Sequence, residues 1–214
     1  MPNPDPLLTR HTLIHRLRDS ADEASWAEFA KVYTPLLYSY CQKRELRHAD
    51  IADIVQEVMR SVSLALAKNQ YDPAKGKFRA WLFTTLRNTV FTHYRKRARV
   101  PLTPGETAVI EALDTEPTDT EHQEWEHDYQ RQLIRWAMEK IKPELAPHVW
   151  RAFELTALED KTPAEAAAET GMTKNAVGVA KHRVSARLRE MVNSVDADEW
   201  EQEMVGRLHS EGGP

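Results

Sequence analysis

From Asp50 to Lys68 the chain reads DIADIVQEVMRSVSLALAK, and its apolar residues Ile51, Ile54, Val55, Val58, Val62 and Leu66 return every three or four positions. That period suits one stripe of an α-helix and cannot keep one face of a strand apolar, because strand side chains alternate sides. Similar spacing recurs in Trp26, Phe29 and Tyr33, in Leu82, Phe83, Leu86, Val90 and Tyr94, and in Val177, Ala180, Val184, Leu188 and Met191. With only seven glycines in 214 residues, few β-branched runs and abundant Ala, Leu, Glu and Arg, the expected fold is all-α.

The length allows one or two domains large enough to bury a core, and 41% hydrophobic with 29% charged residues argues against wholesale disorder. No apolar run approaches the roughly 18 residues of a membrane span, and MPNPDPLLTRH lacks a basic stretch followed by an apolar core, so a cytoplasmic location is expected. The single cysteine, Cys41, excludes an internal disulfide and cysteine-rich metal sites, and fits a reducing compartment.

The formal net charge of -4 averages over segments of opposite sign. Lys75 to Arg99 holds eight basic residues and no acid; Val100 to Gln130 holds nine acids and no Lys or Arg. Five basic residues and no acid follow between Lys174 and Arg189, and from Val195 onward six acids face Arg207 alone. Two basic binding surfaces, an acidic linker and an acidic tail would produce this alternation.

Residues 99–124, RVPLTPGETAVIEALDTEPTDTEHQE, contain three prolines and weak apolar periodicity, which predicts a flexible linker. Two small helical domains are therefore expected at 10–98 and 125–193, with an acidic tail over 194–214. In the first, Ser20 is a candidate helix cap, and Thr34 with Pro35 looks like the start of a new helix. On the helix from Asp50, the acids Asp50, Asp53 and Glu57 fall within about 60 degrees of one another beside the apolar stripe. They form either a solubilising ridge or a dock for a basic partner.

The stretch FRAWLFTTLRNTVFTHYRKRAR, 78–99, plots as a helix with two faces. Leu82, Phe83, Leu86, Val90 and Tyr94 can enter a core, while Trp81, Thr84, Asn88, Thr92 and Arg95 lie together elsewhere. Cations that neutralise phosphate, an amide that bonds a base edge and a ring that stacks on an unpaired base suit nucleic acid, although an aromatic at helical spacing is more often core. Lys77, Arg79, Lys96 and Arg97 extend the set of candidate contacts.

In the second domain Thr162 caps and Pro163 opens a short alanine-rich helix, Gly171 ends it, and Thr173 caps the next helix. The apolar stripe of that helix leaves Lys174, Asn175, Lys181, His182, Arg183 and Arg187 free, as in a helix-turn-helix whose second helix enters a major groove. EHQEWEH carries His122 and His127 five residues apart, which does not match the i, i+4 zinc pattern. No nucleophile motif or phosphate-binding glycine loop appears, so no catalysis, metal or other cofactor is expected.

Taken together, DIADIVQEV, FRAWLFTTLRNTVFTHYRKR and TPAEAAAETGMTKNAVGVAKHRVSARLRE resemble, in that order, three motifs of the extracytoplasmic-function (ECF) group of sigma-70-type sigma factors. The resemblance spans about 20–192; the last twenty or so residues have no counterpart in it. It implies a non-enzymatic protein of transcription initiation that binds core RNA polymerase, through its beta and beta-prime subunits, and promoter DNA, with an anti-sigma factor as a further candidate partner. By the same similarity, Asp53, Gln56 and Glu57, with Asp50 beside them, would contact polymerase. The loop 69–78 and Asn88 would hold a flipped minus-ten base, the acidic linker would thread the polymerase cleft, and the final helix would meet the minus-thirty-five element. Where family members commonly carry a basic and a small polar residue early in that helix, this chain has Gly178 and Val179, which points to shape or phosphate contacts there. The alternative is a helix-turn-helix regulator acting without polymerase, which leaves the first two motifs idle.

Overall fold

The computed structural model describes residues 14, 16–19, 21–72, 76–97 and 104–210, the side chains of Arg97, Pro104, Glu106 and 194–210 excepted. Among these residues the fold is all-α, with no strand. The chain divides into two compact units, one holding the residues up to Gln132 together with those from Ala197 and the other Leu133–Asp196.

In the first unit, helix α1 (Glu23–Gln42) is capped by Asp22, whose carboxylate accepts the Ser25 N–H at 3.0 Å and the Arg16 guanidinium at 2.8 and 3.1 Å. Chiefly through the Arg16 bonds, then that of Ser25, the Asp22 carboxyl is lowered from the ordinary 3.8 to about 2. Ser20, the expected cap, lies outside the described residues. Helix α1 also runs unbroken through Pro35, where a new helix was expected. An interior proline loses a hydrogen bond and crowds the carbonyl four residues back, at about 3 kcal/mol. Burial offsets this: Phe29, Val32 and Tyr33 before Pro35 and Leu36, Leu37 and Tyr40 after it are all in the core of the same helix.

Helix α2 (His48–Ala67) buries Ile51, Ile54, Val55, Val58, Val62 and Leu66, the stripe that its period predicts. Tyr71 closes the turn that follows, its hydroxyl donating to the Gly76 carbonyl at 3.2 Å. Gly76 sits at φ +139, a conformation that side-chain-bearing residues rarely adopt. Helix α3 (Phe78–Arg97) turns Leu82, Phe83, Leu86, Val90 and Tyr94 inward, and the Tyr94 hydroxyl donates to the Arg44 carbonyl at 3.0 Å.

The segment expected to be a flexible linker is mostly helical where it is described, broken only over residues 114–118. Helix α4 spans Pro104–Leu113 and α5 spans Asp119–Ile141. Arg87 of α3 donates to the carbonyls of Leu113 at 3.0 Å and Ala112 at 2.7 Å, supplying the α4 C-terminus with the cation its dipole favours. The first half of α5 packs on the same unit. Trp125 meets Phe83 at 5.4 Å, and Tyr129 meets Tyr33 at 6.1 Å. Glu121 pairs with Arg44 and accepts the Tyr40 hydroxyl at 2.9 Å, while Asp128 takes Lys43 at 2.8 Å and the Ser39 hydroxyl at 3.1 Å. The boundary expected at residue 125 thus falls inside α5, and the compact units part at Gln132 and Leu133. Composition suggested an acidic linker because its basic partners, Lys43, Arg44, Arg79 and Arg87, lie in other helices far from it in sequence.

In the second unit, Leu133, Trp136, Ala137 and Ile141 of α5 are buried, and a 3-10 turn (Lys142–Glu144) leads into α6 (Pro147–Ala157). Helix α7 (Pro163–Thr170) opens on a capping box in which Thr162 accepts the Glu165 N–H at 3.3 Å and the Glu165 carboxylate accepts the Thr162 N–H at 2.8 Å. Gly171 at φ +69 ends it, and Thr173 accepts the Ala176 N–H at 3.2 Å to start α8 (Lys174–Ser210). Ala152, Leu155, Ala166, Val177 and Ala180 form the shared core of α6, α7 and α8, with Val149, Ala167 and Met172 against it. Small residues at 152, 166 and 180 allow this close packing. No described helix is long and apolar enough to cross a membrane.

Candidate nucleic-acid interface

On the first unit, an open groove of about 610 Å³ runs between α2 and α3. Asp53, Glu57 and Arg60 line it from α2; Thr85, Asn88, Thr89, Thr92, His93 and Lys96 line it from α3. The fold puts the two faces side by side because both helices bury adjacent apolar stripes, which leaves their polar flanks facing one another across the groove. One wall is acidic, and the other offers hydroxyls, an amide and cations.

The acidic ridge does not survive whole. Asp53, Gln56 and Glu57 are exposed, but Asp50 is buried, gripped by the Arg47 guanidinium at 2.7 and 3.2 Å and 3.7 Å from His93 Nε2. Its place in the first turn of α2 puts it under Arg47. Glu57 accepts from Arg60 at 2.7 and 3.1 Å, and those bonds hold its carboxyl below the usual range.

On α3, Thr84, Asn88, Thr92, Arg95 and Lys96 are exposed. Thr84 spends its hydroxyl proton on the Ala80 carbonyl at 3.0 Å, and the Arg95 guanidinium lies 5.5 Å from the Phe91 ring. Trp81 is half-buried against Tyr71 at 5.6 Å and Phe78 at 5.5 Å, so one side is committed to packing. Lys77 is half-buried at the helix start, and Arg97 lies beyond the described side chains. Arg79, among the expected DNA contacts, is 6% exposed, stacked over Tyr129 at 4.2 Å and 3.4 Å from Glu126. Its cation faces α5 and is neutralised there.

The groove also draws in Arg60, Thr85, Thr89 and His93, which sequence reasoning did not single out. The signal was present, since Thr85, Thr89 and Lys96 continue a helical stripe beside Asn88 and Thr92. Cys41 offers no nucleophile to this unit, because burial pushes its thiol up to about 12.

On the second unit, Lys174, Asn175, His182, Arg183 and Arg187 are exposed on α8. Lys181 is exposed too, but its ammonium donates to the Thr156 carbonyl at 2.9 Å, tying α8 to the end of α6. Arg187 lies 3.3 Å from Glu190. His122 and His127 are both exposed on α5, and among the described residues no three His, Cys, Asp or Glu side chains gather as a metal site.

Residues 29–100 match the model of sigma-70 region 2, a span that runs from Phe29 in α1 past the end of α3. The chain is also 26% identical over 176 residues to the ECF RNA polymerase sigma factor RpoE of Cereibacter sphaeroides, an alignment covering 82% of this chain and 89% of that relative. Over that span the chain is similar to sigma-70-type sigma factors. The two matches together support a sigma factor of the ECF type, a protein of transcription initiation. The whole groove between α2 and α3, with both of its walls, lies inside the region 2 match.

Proposed function

We propose that the chain binds core RNA polymerase and directs it to promoters, leaving the chemistry of RNA synthesis to the polymerase. The observation that carries this reading is the groove of the region 2 domain, whose acidic wall of Asp53 and Glu57 stands across from the Asn88, Thr92 and Lys96 face of α3. One helix can then hold polymerase while its neighbour holds DNA.

In this reading Asp53, Gln56 and Glu57 meet a basic surface on the polymerase beta-prime or beta subunit. Exposed Asn88, Thr92, Arg95 and Lys96, with the free side of Trp81, take the melted minus-ten strand. Absence of acid along 75–99 keeps phosphate from being repelled. Exposed Lys174, Asn175, His182, Arg183 and Arg187 of α8 take the minus-thirty-five element in the major groove, after the manner of a helix-turn-helix.

The test is transcription in vitro from fragmented DNA of the source organism, with purified core polymerase and with or without this chain, followed by sequencing of transcript starts. New starts that share two upstream elements at fixed spacing are expected. Their absence, with a folded chain and a polymerase active with another sigma factor, would favour a regulator that binds DNA without polymerase.

A further inference from the structure

Gly178 and Val179 lie early in α8, and neither is accounted for by contacts within the described chain. Gly178 has no positive φ, and a Cβ built on it meets nothing within 4 Å. Neither backbone conformation nor internal packing calls for glycine there, in a helix that glycine weakens. Val179 is 59% exposed, more than Leu64, Ile134 or Leu158, the other large apolar side chains on the described surface.

Their position gives the pair a direction. At about 100 degrees per residue, Asn175, Gly178, Val179 and His182 form the ridge diametrically opposite buried Val177, Ala180 and Val184. Cations flank that ridge, with exposed Lys174 on one edge and exposed Arg183 on the other. A strip with a bare backbone and a branched apolar side chain at its centre, and positive charge at both margins, is complementary to a groove with anionic rims and an apolar group on its floor. In the major groove of DNA that apolar group is the C5-methyl of thymine.

We propose that Val179 reads the C5-methyl of a thymine in the upstream promoter element, and that Gly178 lets the α8 backbone come close enough for it to do so. The proposal rests on the sigma-factor reading above and replaces purely shape-based readout at this position with one direct contact. Asn175 and His182, one turn to either side, are left to bond neighbouring base edges.

The experiment uses holoenzyme assembled from core polymerase and the full chain, with a promoter duplex taken from the mapped starts. Each thymine of its upstream element is replaced in turn by deoxyuridine, which keeps base pairing and removes only the methyl. One position should weaken the wild-type complex about fourfold, the factor for one buried methyl-sized group. Val179→Ala should lose a similar factor on the thymine duplex and be indifferent to deoxyuridine at that position. Gly178→Leu, whose side chain enters open space in the free chain, should keep its helical circular dichroism and lose promoter affinity by at least about tenfold. Indifference of the wild type to every deoxyuridine, an unchanged response in Val179→Ala, or full binding by Gly178→Leu would each overturn the proposal. If the holoenzyme yields no promoter-dependent transcripts at all, the sigma-factor reading itself falls; normal starts with no methyl dependence remove only this contact.

Discussion

Arg79, Arg87 and Arg95 carry the same charge on one helix, yet only Arg95 is exposed. Arg87 spends its guanidinium on the carbonyls of Ala112 and Leu113 and stands 3.5 Å from Glu121. Arg87→Met should therefore cost about 1.5–3 kcal/mol, the worth of hydrogen bonds to a charged group, read from the urea unfolding midpoint. Unchanged stability would mean that α4 is held by other contacts. Asp22 makes a prediction in pH. Its folded carboxyl titrates at about 2 against an ordinary 3.8, so its contribution is fully present above 3.8 and fades as pH falls towards 2. Wild type should lose stability over that window more steeply than Asp22→Asn, in paired acid-unfolding curves; parallel curves would contradict the cap and the Arg16 pair.

At the level of the helix, local signals and burial compete, and α1 shows which wins. Thr34 and Pro35 are good starting residues, but buried side chains on both sides keep α1 continuous. Helix α8 presents the opposite case, a local weakness that packing does not explain. Gly178→Ala should raise stability by about 1 kcal/mol, because the added methyl meets nothing within 4 Å and alanine loses less backbone entropy in the helix. A thermal or chemical melt without that gain would show that the site is strained in a way its open surroundings do not suggest. The turn into α8 needed no such correction: Thr162, Glu165, Gly171 and Thr173 act where their types place them, since caps and turns are settled within a few residues.

For the whole molecule, charge segregation matters more than net charge. The acidic stretch after residue 100 is tied to basic residues of the first unit through Glu121, Glu126 and Asp128, while the groove keeps exposed charges of both signs in Asp53, Glu57, Arg60 and Lys96. Asp53→Arg reverses one exposed charge and should shift folding stability by no more than about 0.5 kcal/mol. It should weaken association with core polymerase in a pull-down or fluorescence titration; equal affinity would remove Asp53 from the proposed docking surface. The all-α fold, the apolar stripes of α2, α3 and α8 and the α7–turn–α8 corner were legible in the sequence, because period and capping are properties of neighbouring residues. The fates of Asp50, Arg79 and the acidic connecting stretch were not. Asp50 lies under its neighbour Arg47, a pairing that helical facing alone does not show, while Arg79 depends on Tyr129, and Glu121 on Tyr40 and Arg44 some eighty residues before it, all brought in by packing. Helix type and facing were thus determined by the order of residues alone. Which charges remain free to meet a partner was decided only by tertiary structure, since a buried charge must be paired and its pair can come from anywhere in the chain.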